Sequence, residues 1–337
     1  MIIREYISLK PYNTFGIDIQ ARFFIELMTE DDVFSFFSSV NDFPEPHLFI
    51  GGGSNMLFTK NFSGTVIRIG TKGIGVEEEN DDFVVVRVAA GENWDDFVRY
   101  CVEKGWGGPE NLSLIPGNVG TGPIQNIGAY GVEIKDVILD IEVFRIETMV
   151  KTVLSGEECE FGYRDSIFKG RDKGKYFILS VRFRLSKHPD LKLDYGSIRE
   201  ELQAMKVSVP TIADVRNAVC RIRQRKLPDP QKTGNAGSFF KNPVVSEAKY
   251  LELKERYPAI VSYPSGACYK IAAAWMIEHL GWKGKRAGDA GVHEHQPLVL
   301  VNYGSATGKE ILQLADLVSE SVFKEFGIRL ETEVNVY

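Results

Sequence analysis

The feature that most constrains this chain is a glycine-rich stretch from Gly105 to Gly131, which contains eight glycines. So many glycines, with prolines among them, exclude a regular helix or strand over this length. Irregular segments this long are uncommon in compact domains unless they carry a function. The Asn, Thr and Gln side chains between the glycines offer donors and acceptors for a pyrophosphate and the edge of a flavin-like ring. We therefore interpret residues 115–131 as a binding segment.

A second glycine segment, Gly51-Gly52-Gly53-Ser54-Asn55, follows an apolar run that reads as a short strand. Consecutive glycines let main-chain N–H groups approach an anion, so a phosphate cradle is one interpretation, and a tight strand exit is the other. The segment does not fit a Rossmann fingerprint, because Met56 stands where the third glycine belongs, and no Walker A pattern occurs. A nucleotide bound here is expected in another fold.

Composition and charge exclude several classes of protein. With 337 residues, 44% hydrophobic and 26% charged, the chain is long enough for two or three globular domains. The net charge of -6 and the lack of a Lys/Arg stripe argue against a nucleic-acid partner. No apolar run is long enough for membrane insertion, so we expect a cytoplasmic protein. The separated cysteines and the close pair His293 and His295 lack metal-ligand spacing, and we predict no zinc or other metal.

Apolar periodicity and capping signals predict a mixed α+β fold. Leu227-Pro228-Asp229-Pro230 ends a predicted helix, which suggests a domain boundary near residue 228. The predicted helices begin after Thr29, at Trp94 and at Ile212, and span about 271–280 and 308–326. The predicted strands are residues 47–50, 65–69, 83–90, 137–146, 176–185 and 298–302, with one wet face on 176–185.

Five segments together resemble the UDP-N-acetylenolpyruvoylglucosamine reductase family, and they occur in the family's order. They are residues 11–16, 51–55, 115–131, 162–166 (Gly-Tyr-Arg-Asp-Ser) and 234–243 (Gly-Asn-Ala-Gly-Ser-Phe-Phe-Lys-Asn-Pro). The resemblance implies an FAD-binding unit of the vanillyl-alcohol-oxidase (PCMH) type in two parts, residues 1–70 and 71–227. It also implies a C-terminal α/β domain that binds the UDP-sugar, residues 228–337. Tyr195 resembles the substrate-loop tyrosine of the family's longer subtype.

The same resemblance implies the reaction. NADPH reduces FAD, which then reduces UDP-N-acetylglucosamine enolpyruvate to UDP-N-acetylmuramate for peptidoglycan in the bacterial cell wall. A hydride reaches C3 of the enolpyruvyl group and a proton reaches C2. We expect noncovalent FAD, because neither glycine segment contains the histidine or cysteine that tethering requires. We also expect a monomer.

Roles for individual residues follow from the resemblance and agree with their chemistry. Arg164 would hold the carboxylate beside the developing carbanion, since a guanidinium binds carboxylates bidentately and stays charged. Ser238 would donate the proton to C2 as general acid. Glu333 would polarise the carboxyl group, with Glu331 as the alternative because both side chains point the same way along a strand. The family usually has proline where Thr332 stands.

The remaining implied residues form two groups. Those that bind substrate are Tyr163, Tyr195, Lys226, Asn242 and Gln296. Those that bind the cofactor are Gly51, Gly52, Gly53, Ser54, Asn55, Pro116, Gly117, Gly120, Gly122, Gln125, Asn126, Gly128, Ala129 and Tyr130.

Two other functions remain open at this point. An FAD oxidase or dehydrogenase of the same fold would act on an unrelated substrate, because fold alone does not determine function. A UDP-sugar or nucleotide sensor would bind no flavin and would be colourless.

Overall fold

The computed structural model describes residues 1–195 and 197–337. Their contacts divide the chain into two compact units, each made of several chain segments. The first unit comprises Met1–Ile7, Arg22–Gly52 and Ser63–Arg223, and the second comprises Ser8–Ala21, Gly53–Phe62 and Gln224–Tyr337. Two short N-terminal segments therefore pack with the C-terminal part of the chain. The predicted division into residues 1–70, 71–227 and 228–337 stays a prediction.

The mixed α+β class is confirmed by the helices and strands of both units. The helices are α1 (Glu30–Ser38), α2 (Trp94–Glu103), α3 (Ile198–Ala204), α4 (Ile212–Lys226), α5 (Glu247–Arg256), α6 (Ala273–His279) and α7 (Gly308–Phe326). The strands are β1 (Ile2–Ser8), β2 (Gln20–Leu27), β3 (His47–Ile50), β4 (Met56–Leu57), β5 (Phe62–Ile69), β6 (Ile74–Glu79), β7 (Phe83–Ala89), β8 (Gly128–Ala129), β9 (Val132–Glu133), β10 (Ile138–Arg145), β11 (Val150–Ser155), β12 (Tyr176–Ser186), β13 (Gly234–Ser238), β14 (Val244–Ser246), β15 (Ser262–Ser265), β16 (Cys268–Ile271), β17 (Arg286–Ala287), β18 (Ala290–Val292), β19 (Val299–Asn302) and β20 (Asn335–Val336).

The first unit is organised by two sheets. One has the order β1-β2-β5-β3, with β3 and β5 parallel, and the other is antiparallel with the order β11-β10-β12-β7-β6. β12 lies in the middle of the second sheet, and one of its faces is buried throughout, where α2 packs Trp94 and Phe97 against Phe183. The other face is half-buried or exposed from Arg182 to Ser186, so the predicted wet face is confirmed over this half of the strand. Its first half differs, because Ile178 and Ser180 are buried.

The second unit is built around a smaller sheet, β13-β19-β18-β17, together with α7. All four residues of β19 are buried. The predicted apolar face of α7 is confirmed, since Ile311, Leu314, Val318 and Val322 are all buried. A hairpin sheet, β14-β16-β15, and the parallel pair β20-β4 complete the unit.

Local signals in the sequence located helix starts well. The capping boxes at Thr29 and Thr307 form as predicted, and Thr211 exchanges hydrogen bonds with Asp214 before α4. The helix predicted from about residue 271 was placed too early. Ile271 is the last residue of β16 and pairs with Ser262 of β15, and the extended Ala272 precedes the first residue of α6.

Two further findings concern the part of the chain that the structure describes. None of its helices combines the length and the apolar character needed to cross a membrane. Within the same residues, no three His, Cys, Asp or Glu side chains gather in a way that could hold a metal ion.

Candidate cofactor and substrate site

The two glycine segments of the first unit meet main chain to main chain. A Cβ atom placed on Gly52 would lie 3.1 Å from the Cα of Gly117 and 3.0 Å from Oδ1 of Asn118. A Cβ atom on Gly51 would lie 2.7 Å from Cγ2 of Thr121. Only glycine permits this approach without a shift of its neighbours. These glycines leave main-chain groups without side chains, which a nucleotide diphosphate can approach closely, so the residues fit FAD.

Side chains hold the irregular backbone that follows. The Nδ2 of Asn118 donates to the carbonyl of Gly91 at 3.0 Å, and the Oγ1 of Thr121 donates to the carbonyl of Asn118 at 2.8 Å. Val119–Thr121 and Pro123–Gln125 are single 3₁₀ turns. A Cβ atom on the buried Gly120 would lie 2.4 Å from the Cβ of Ala90. Residues 115–131 therefore have a fixed shape without regular structure.

Asn126 joins this segment to the Gly162–Ser166 motif. It is fully buried, and its Nδ2 donates to Oε2 of Glu133 and to the carbonyl of Gly162, both at 2.9 Å. In return, Oγ of Ser166 donates to the carbonyl of Ile124 at 2.7 Å. Two motifs that are far apart in sequence therefore form one structure within the first unit.

Arg164 lies at the centre of this contact. Its Nη2 donates to the carbonyl of Gly128 at 2.7 Å and its Nη1 to the carbonyl of Asn126 at 3.4 Å. Both Arg164, with φ of 54°, and Asn126, with φ of 44°, adopt left-handed backbone conformations. Such conformations are unfavourable for non-glycine residues and are concentrated at functional sites. The half-buried guanidinium is thus held at the edge of the predicted cofactor segment.

Two predicted substrate residues of the first unit are aromatic and exposed. The ring of Tyr163 lies 5.7 Å from Cζ of Arg164 and is 41% exposed. Tyr195 is 54% exposed. A Cβ atom on Gly131 would lie 3.1 Å from the Cβ of Tyr195, which therefore stands beside the end of the glycine-rich segment.

Gly53 and its successors belong to the second unit. Gly53 has φ of 64°, and a Cβ atom there would lie 1.9 Å from the carbonyl oxygen of Tyr12. Thr14 N donates to the carbonyl of Gly53 at 3.0 Å, which attaches the 11–16 motif to this turn. The Nδ2 of Asn55 donates to the carbonyl of Glu333 at 3.2 Å. The structure thus joins two predicted motifs to the C-terminal segment that carries Glu333.

Ser238 follows a β-bulge. β13 pairs Asn235 with Val301 and Ser238 with Val299, so β13 has one extra residue, and Gly237 in the bulge has φ of 71°. The buried Asn235 stabilises the bulge, because its Oδ1 accepts from Gly237 N at 3.0 Å. A bulge changes the direction of the side chain that follows it. Within the described residues, the half-buried Ser238 hydroxyl has no hydrogen-bond partner.

The two glutamates near the C-terminus have different surroundings. Glu331 forms an ion pair with Lys241 at 2.8 Å, and its side chain is 77% exposed. Glu333 is half-buried, and its N–H donates to the carbonyl of Phe239 at 2.8 Å, next to Ser238. Phe240 and Thr332 form an isolated antiparallel bridge, so the second unit brings Glu333 beside Phe239, the residue after Ser238.

The other predicted substrate residues of the second unit are dispersed along it. Lys226 is exposed at the end of α4. Asn242 already has a structural contact, since its Oδ1 accepts from Ala273 N at 3.0 Å at the start of α6. Gln296 is half-buried before β19, and its carbonyl accepts from Val299 N at 3.0 Å.

Sequence reasoning did not single out Asn118 or Arg223. Asn118 lies inside the glycine-rich segment, and its polar side chain among glycines was a usable signal. Arg223 lies on α4 and donates to the carbonyl of Leu114 at 3.3 Å. Burial lowers the pKa of Arg223, and a hydrogen bond with Tyr130 opposes that shift. No sequence signal separates this arginine from the exposed ones of the same helix.

Comparisons with known proteins agree with this arrangement. Two family models match: an FAD binding domain over residues 21–148 and a UDP-N-acetylenolpyruvoylglucosamine reductase C-terminal domain over residues 229–337. The protein named UDP-N-acetylenolpyruvoylglucosamine reductase from Flavobacterium johnsoniae is 47% identical, with 100% of both chains covered. The protein of the same name from Pseudomonas syringae pv. tomato is 46% identical, with 99% of both chains covered.

The chain belongs to the UDP-N-acetylenolpyruvoylglucosamine reductase family. The crystal structure of the family member from Thermus caldophilus superposes with a TM-score of 0.69 at 25% identity and covers 100% of both chains. The predicted family is therefore confirmed, as is a fold that combines an FAD-binding unit with the family's C-terminal domain. As a member of this family, the chain is an FAD-dependent oxidoreductase.

Proposed function

We propose that this chain uses NADPH and noncovalent FAD to reduce the enolpyruvyl ether of UDP-N-acetylglucosamine to UDP-N-acetylmuramate. Its family carries out FAD-dependent reduction of this UDP-sugar in peptidoglycan synthesis. The observation that carries the proposal is Arg164, a guanidinium held by the carbonyls of Asn126 and Gly128 at the edge of the cofactor segment. A fixed cation in that place suits a substrate that bears a carboxylate.

The glycine surface formed by Gly51, Gly52 and Gly117 would hold the FAD diphosphate, because it presents main chain without side chains. The matching FAD binding domain model includes all three residues. When bound, FAD supplies two-electron chemistry between NADPH and the enolpyruvyl group. The protein contributes position, charge and a proton.

Arg164 would act on the carboxylate next to the reacting carbons. Hydride addition at C3 makes C2 carbanionic, and the adjacent carboxyl group takes up part of that charge. A preorganised guanidinium stabilises this charge without reorganising, because its carbonyl contacts already hold it. Replacing Arg164 by lysine would remove the planar fork that a bidentate contact needs.

Ser238 would supply the proton to C2. Its hydroxyl has no partner among the described residues and follows a bulge that Asn235 stabilises. A serine hydroxyl is a weak acid, so its contribution depends on accurate position and on rapid replacement of the proton by water. The bulge is the feature that provides such a position.

Glu333 would polarise the same carboxyl group. Its half-buried position supports this choice, since the side chain of Glu331 is 77% exposed and pairs with Lys241 at the surface. Tyr195 and Lys226 would bind the diphosphate of the substrate, while Asn242 and Gln296 would bind other polar groups. Tyr163 would lie near the sugar.

The same proposal includes the remaining expectations. Gly53, Ser54, Asn55 and the cofactor-binding residues named above between Pro116 and Tyr130 would contact FAD. The exposed Tyr195 is consistent with the longer subtype of the family. We also propose a cytoplasmic monomer that inserts in no membrane and binds no nucleic acid.

The test uses the purified full-length protein. We expect a yellow protein that releases its flavin on acid precipitation, and NADPH oxidation that requires the enolpyruvyl UDP-sugar. UDP-N-acetylglucosamine, which lacks the enolpyruvyl group, is the matched control. Two results would contradict the proposal and favour an oxidase with another substrate. One is NADPH oxidation at equal rates with both sugars, and the other is no stimulation of NADPH oxidation by either sugar. A colourless protein that binds the UDP-sugar would favour a sensor.

A further inference from the structure

A single buried amide connects the cofactor segment to the chain that leads to Tyr195. Asn111 is fully buried in the first unit, in a 3₁₀ turn over Glu110–Leu112. Its Nδ2 donates one hydrogen bond to the carbonyl of Tyr130 at 2.9 Å and another to the carbonyl of Lys192 at 2.8 Å. Both N–H bonds of one side chain are therefore used to hold two distant segments at a fixed separation.

The turn that carries Asn111 is itself fixed. Nε1 of Trp94 donates to the carbonyl of Leu112 at 2.9 Å, and Oγ of Ser113 donates to the carbonyl of Glu110 at 2.6 Å. Gly108 N donates to Oε2 of Glu110 at 2.6 Å. Because these contacts fix the turn, Asn111 is a rigid support for the two carbonyls.

Tyr130 and Lys192, whose carbonyls accept from Asn111, are both close to Tyr195 along the chain or in space. Tyr130 directly precedes Gly131, whose main chain is in close contact with Tyr195. Lys192 is three residues before Tyr195, so the chain can place Tyr195 no more than about 10 Å from the held residue. Loss of the hold at Lys192 would widen the range of positions that Tyr195 visits.

Buried polar atoms without partners border the same segment. Within residues 1–195 and 197–337, the buried side-chain atoms that lack a hydrogen-bond partner are Oδ1 of Asn111, Oγ of Ser197 and Nε of Arg223. Ser197 is two residues after Tyr195 in the sequence, and Arg223 interacts with Tyr130. Leu191, Leu193 and Tyr130 pack against one apolar cluster of α3 and α4. Unpaired buried polar groups cost free energy, so their concentration here indicates a region arranged for something other than maximal stability.

We propose that Asn111 is a positioning residue that sets the location of Tyr195 relative to the end of the cofactor segment, and through it the affinity for the UDP-sugar. The proposal rests on the proposed function, in which Tyr195 contacts the substrate diphosphate. It assigns Asn111 no contact with substrate or cofactor.

The test is a double-mutant cycle on the FAD-loaded protein without NADPH, so that no turnover occurs. Calorimetry measures the dissociation constant of the enolpyruvyl UDP-sugar for the wild type, Asn111→Ala, Tyr195→Ala and the double variant. Two neutral hydrogen bonds are lost in Asn111→Ala, and we expect the dissociation constant to rise about 5- to 30-fold. In the Tyr195→Ala background the same change should have an effect below about 2-fold, because Asn111 acts through Tyr195.

Asn302 provides a matched control in the second unit. It is also buried, and its Nδ2 also donates to two carbonyls, those of Phe15 at 3.0 Å and Ala306 at 3.4 Å. Asn302→Ala should lower thermal stability without changing the dissociation constant in either background. Equal effects of Asn111→Ala with and without Tyr195 would show a general loss of stability and would overturn the proposal.

Hydrogen exchange separates this inference from the proposed function. In Asn111→Ala, amide exchange should increase in the peptides that cover residues 188–195 and 128–133. In Asn302→Ala, exchange in both peptides should stay as in the wild type. If Tyr195→Ala leaves UDP-sugar affinity unchanged, Tyr195 does not bind the substrate diphosphate and that part of the proposed function is wrong. The exchange result still tests whether Asn111 fixes the position of the chain near Lys192 and Tyr130. Unchanged exchange in both peptides would overturn that hold. Should Asn111→Ala not fold, Asn111→Ser, which retains one donor, replaces it with the same expected pattern and smaller effects.

Discussion

The cofactor segment of the first unit and the strand-like pairing around Ser238 and Glu333 in the second, called the ladder below, are built in different ways. The segment has irregular main-chain bonds, to which the side chains of Asn118 and Asn126 add bonds to the carbonyls of Gly91 and Gly162. In the ladder, main-chain bonds of the antiparallel kind join neighbouring chain segments. Glu333 N donates to the carbonyl of Phe239 at 2.8 Å, and Lys241 N donates to the carbonyl of Glu331 at 2.9 Å.

This difference determines what a substitution does in each region. A ladder bond belongs to the backbone and survives replacement of the side chain, so a reactive residue on a ladder can change without loss of the fold. A segment held partly by side chains depends also on those polar residues and on each glycine that permits close approach. We therefore expect substitutions in the ladder to affect chemistry, and substitutions in the segment to affect cofactor retention.

The largest expected effect tests the ladder. Ser238→Ala removes one oxygen and should leave folding, FAD retention and flavin reduction by NADPH close to wild type. Reoxidation of the reduced flavin by the enolpyruvyl UDP-sugar should slow by about 10²- to 10⁴-fold, the usual loss for a positioned general acid. Anaerobic stopped-flow absorbance follows this step directly.

Two controls accompany the Ser238 experiment. Ser238→Cys should retain more activity than Ser238→Ala, because a thiol can still donate a proton. Ser262→Ala changes a serine on another strand of the same unit and should reoxidise like the wild type. Reoxidation of Ser238→Ala at the wild-type rate would mean that the proton comes from another group.

The next effect tests the segment. A methyl group on Gly52 would press on Gly117 and Asn118, and overpacking of this kind costs about 1–3 kcal/mol, or about 5- to 150-fold in affinity. Gly52→Ala should therefore purify with less FAD, measured as the ratio of flavin to protein absorbance. Gly75→Ala is the matched control, since its Cβ would meet nothing within 4 Å. Equal flavin content in both variants would argue against close main-chain contact at the cofactor.

The sequence was informative where local chemistry determines structure. The capping box of Thr307 and the apolar face of Ile311, Leu314 and Val318 predicted α7 with its observed ends, because both signals lie within the helix itself. Glycine content identified the cofactor segment for a similar reason. A backbone that needs left-handed or closely packed positions shows that need in its own residues.

Other parts of the structure depend on contacts that no local pattern contains. The sequence did not predict that Tyr12 would lie against Gly53, because that contact joins segments with no shared periodicity. It also missed Asn111, an asparagine in a turn whose two carbonyl partners are 19 and 81 residues away. The choice between Glu331 and Glu333 rested on motif alone, whereas the structure distinguishes them by burial, with Glu333 half-buried and Glu331 exposed.

A smaller effect is expected from Tyr195, which is exposed beside the segment. Tyr195→Phe keeps the ring and removes one hydroxyl, and loss of one hydrogen bond should weaken UDP-sugar binding by about 3- to 10-fold. Flavin reduction by NADPH should change less than substrate binding. Tyr263→Phe changes a tyrosine that is 47% exposed in the second unit and serves as a comparison. An equal loss in UDP-sugar binding and in flavin reduction in Tyr195→Phe would show that the hydroxyl does not act specifically on the UDP-sugar.

The smallest expected effect is a pH dependence of thermal stability. It comes from a hydrogen bond between a titratable side chain and the main chain, whereas a bond between two main-chain groups does not titrate. Burial raises the pKa of Glu110, whose Oε2 accepts from Gly108 N. The folded protein therefore holds this proton more tightly than the unfolded chain, whose glutamates titrate near about 4.3. Stability from this group is fully present below that pH and is lost as pH rises through the higher folded pKa.

Glu110→Gln removes the ionisation, so its midpoint temperature should exceed that of the wild type by about 2–4 °C at pH 7.5 and approach it at pH 4. Glu158 provides the opposite sign in the same unit, because hydrogen bonds from Ser155 lower the pKa of its exposed carboxyl. Glu158→Gln should lower the midpoint at pH 7.5, and this difference should shrink as pH falls through the lowered folded pKa. Differential scanning fluorimetry from pH 4 to 8 measures the Glu110 difference, and a difference that stays constant over this range would show that Glu110 does not titrate between its folded and unfolded values.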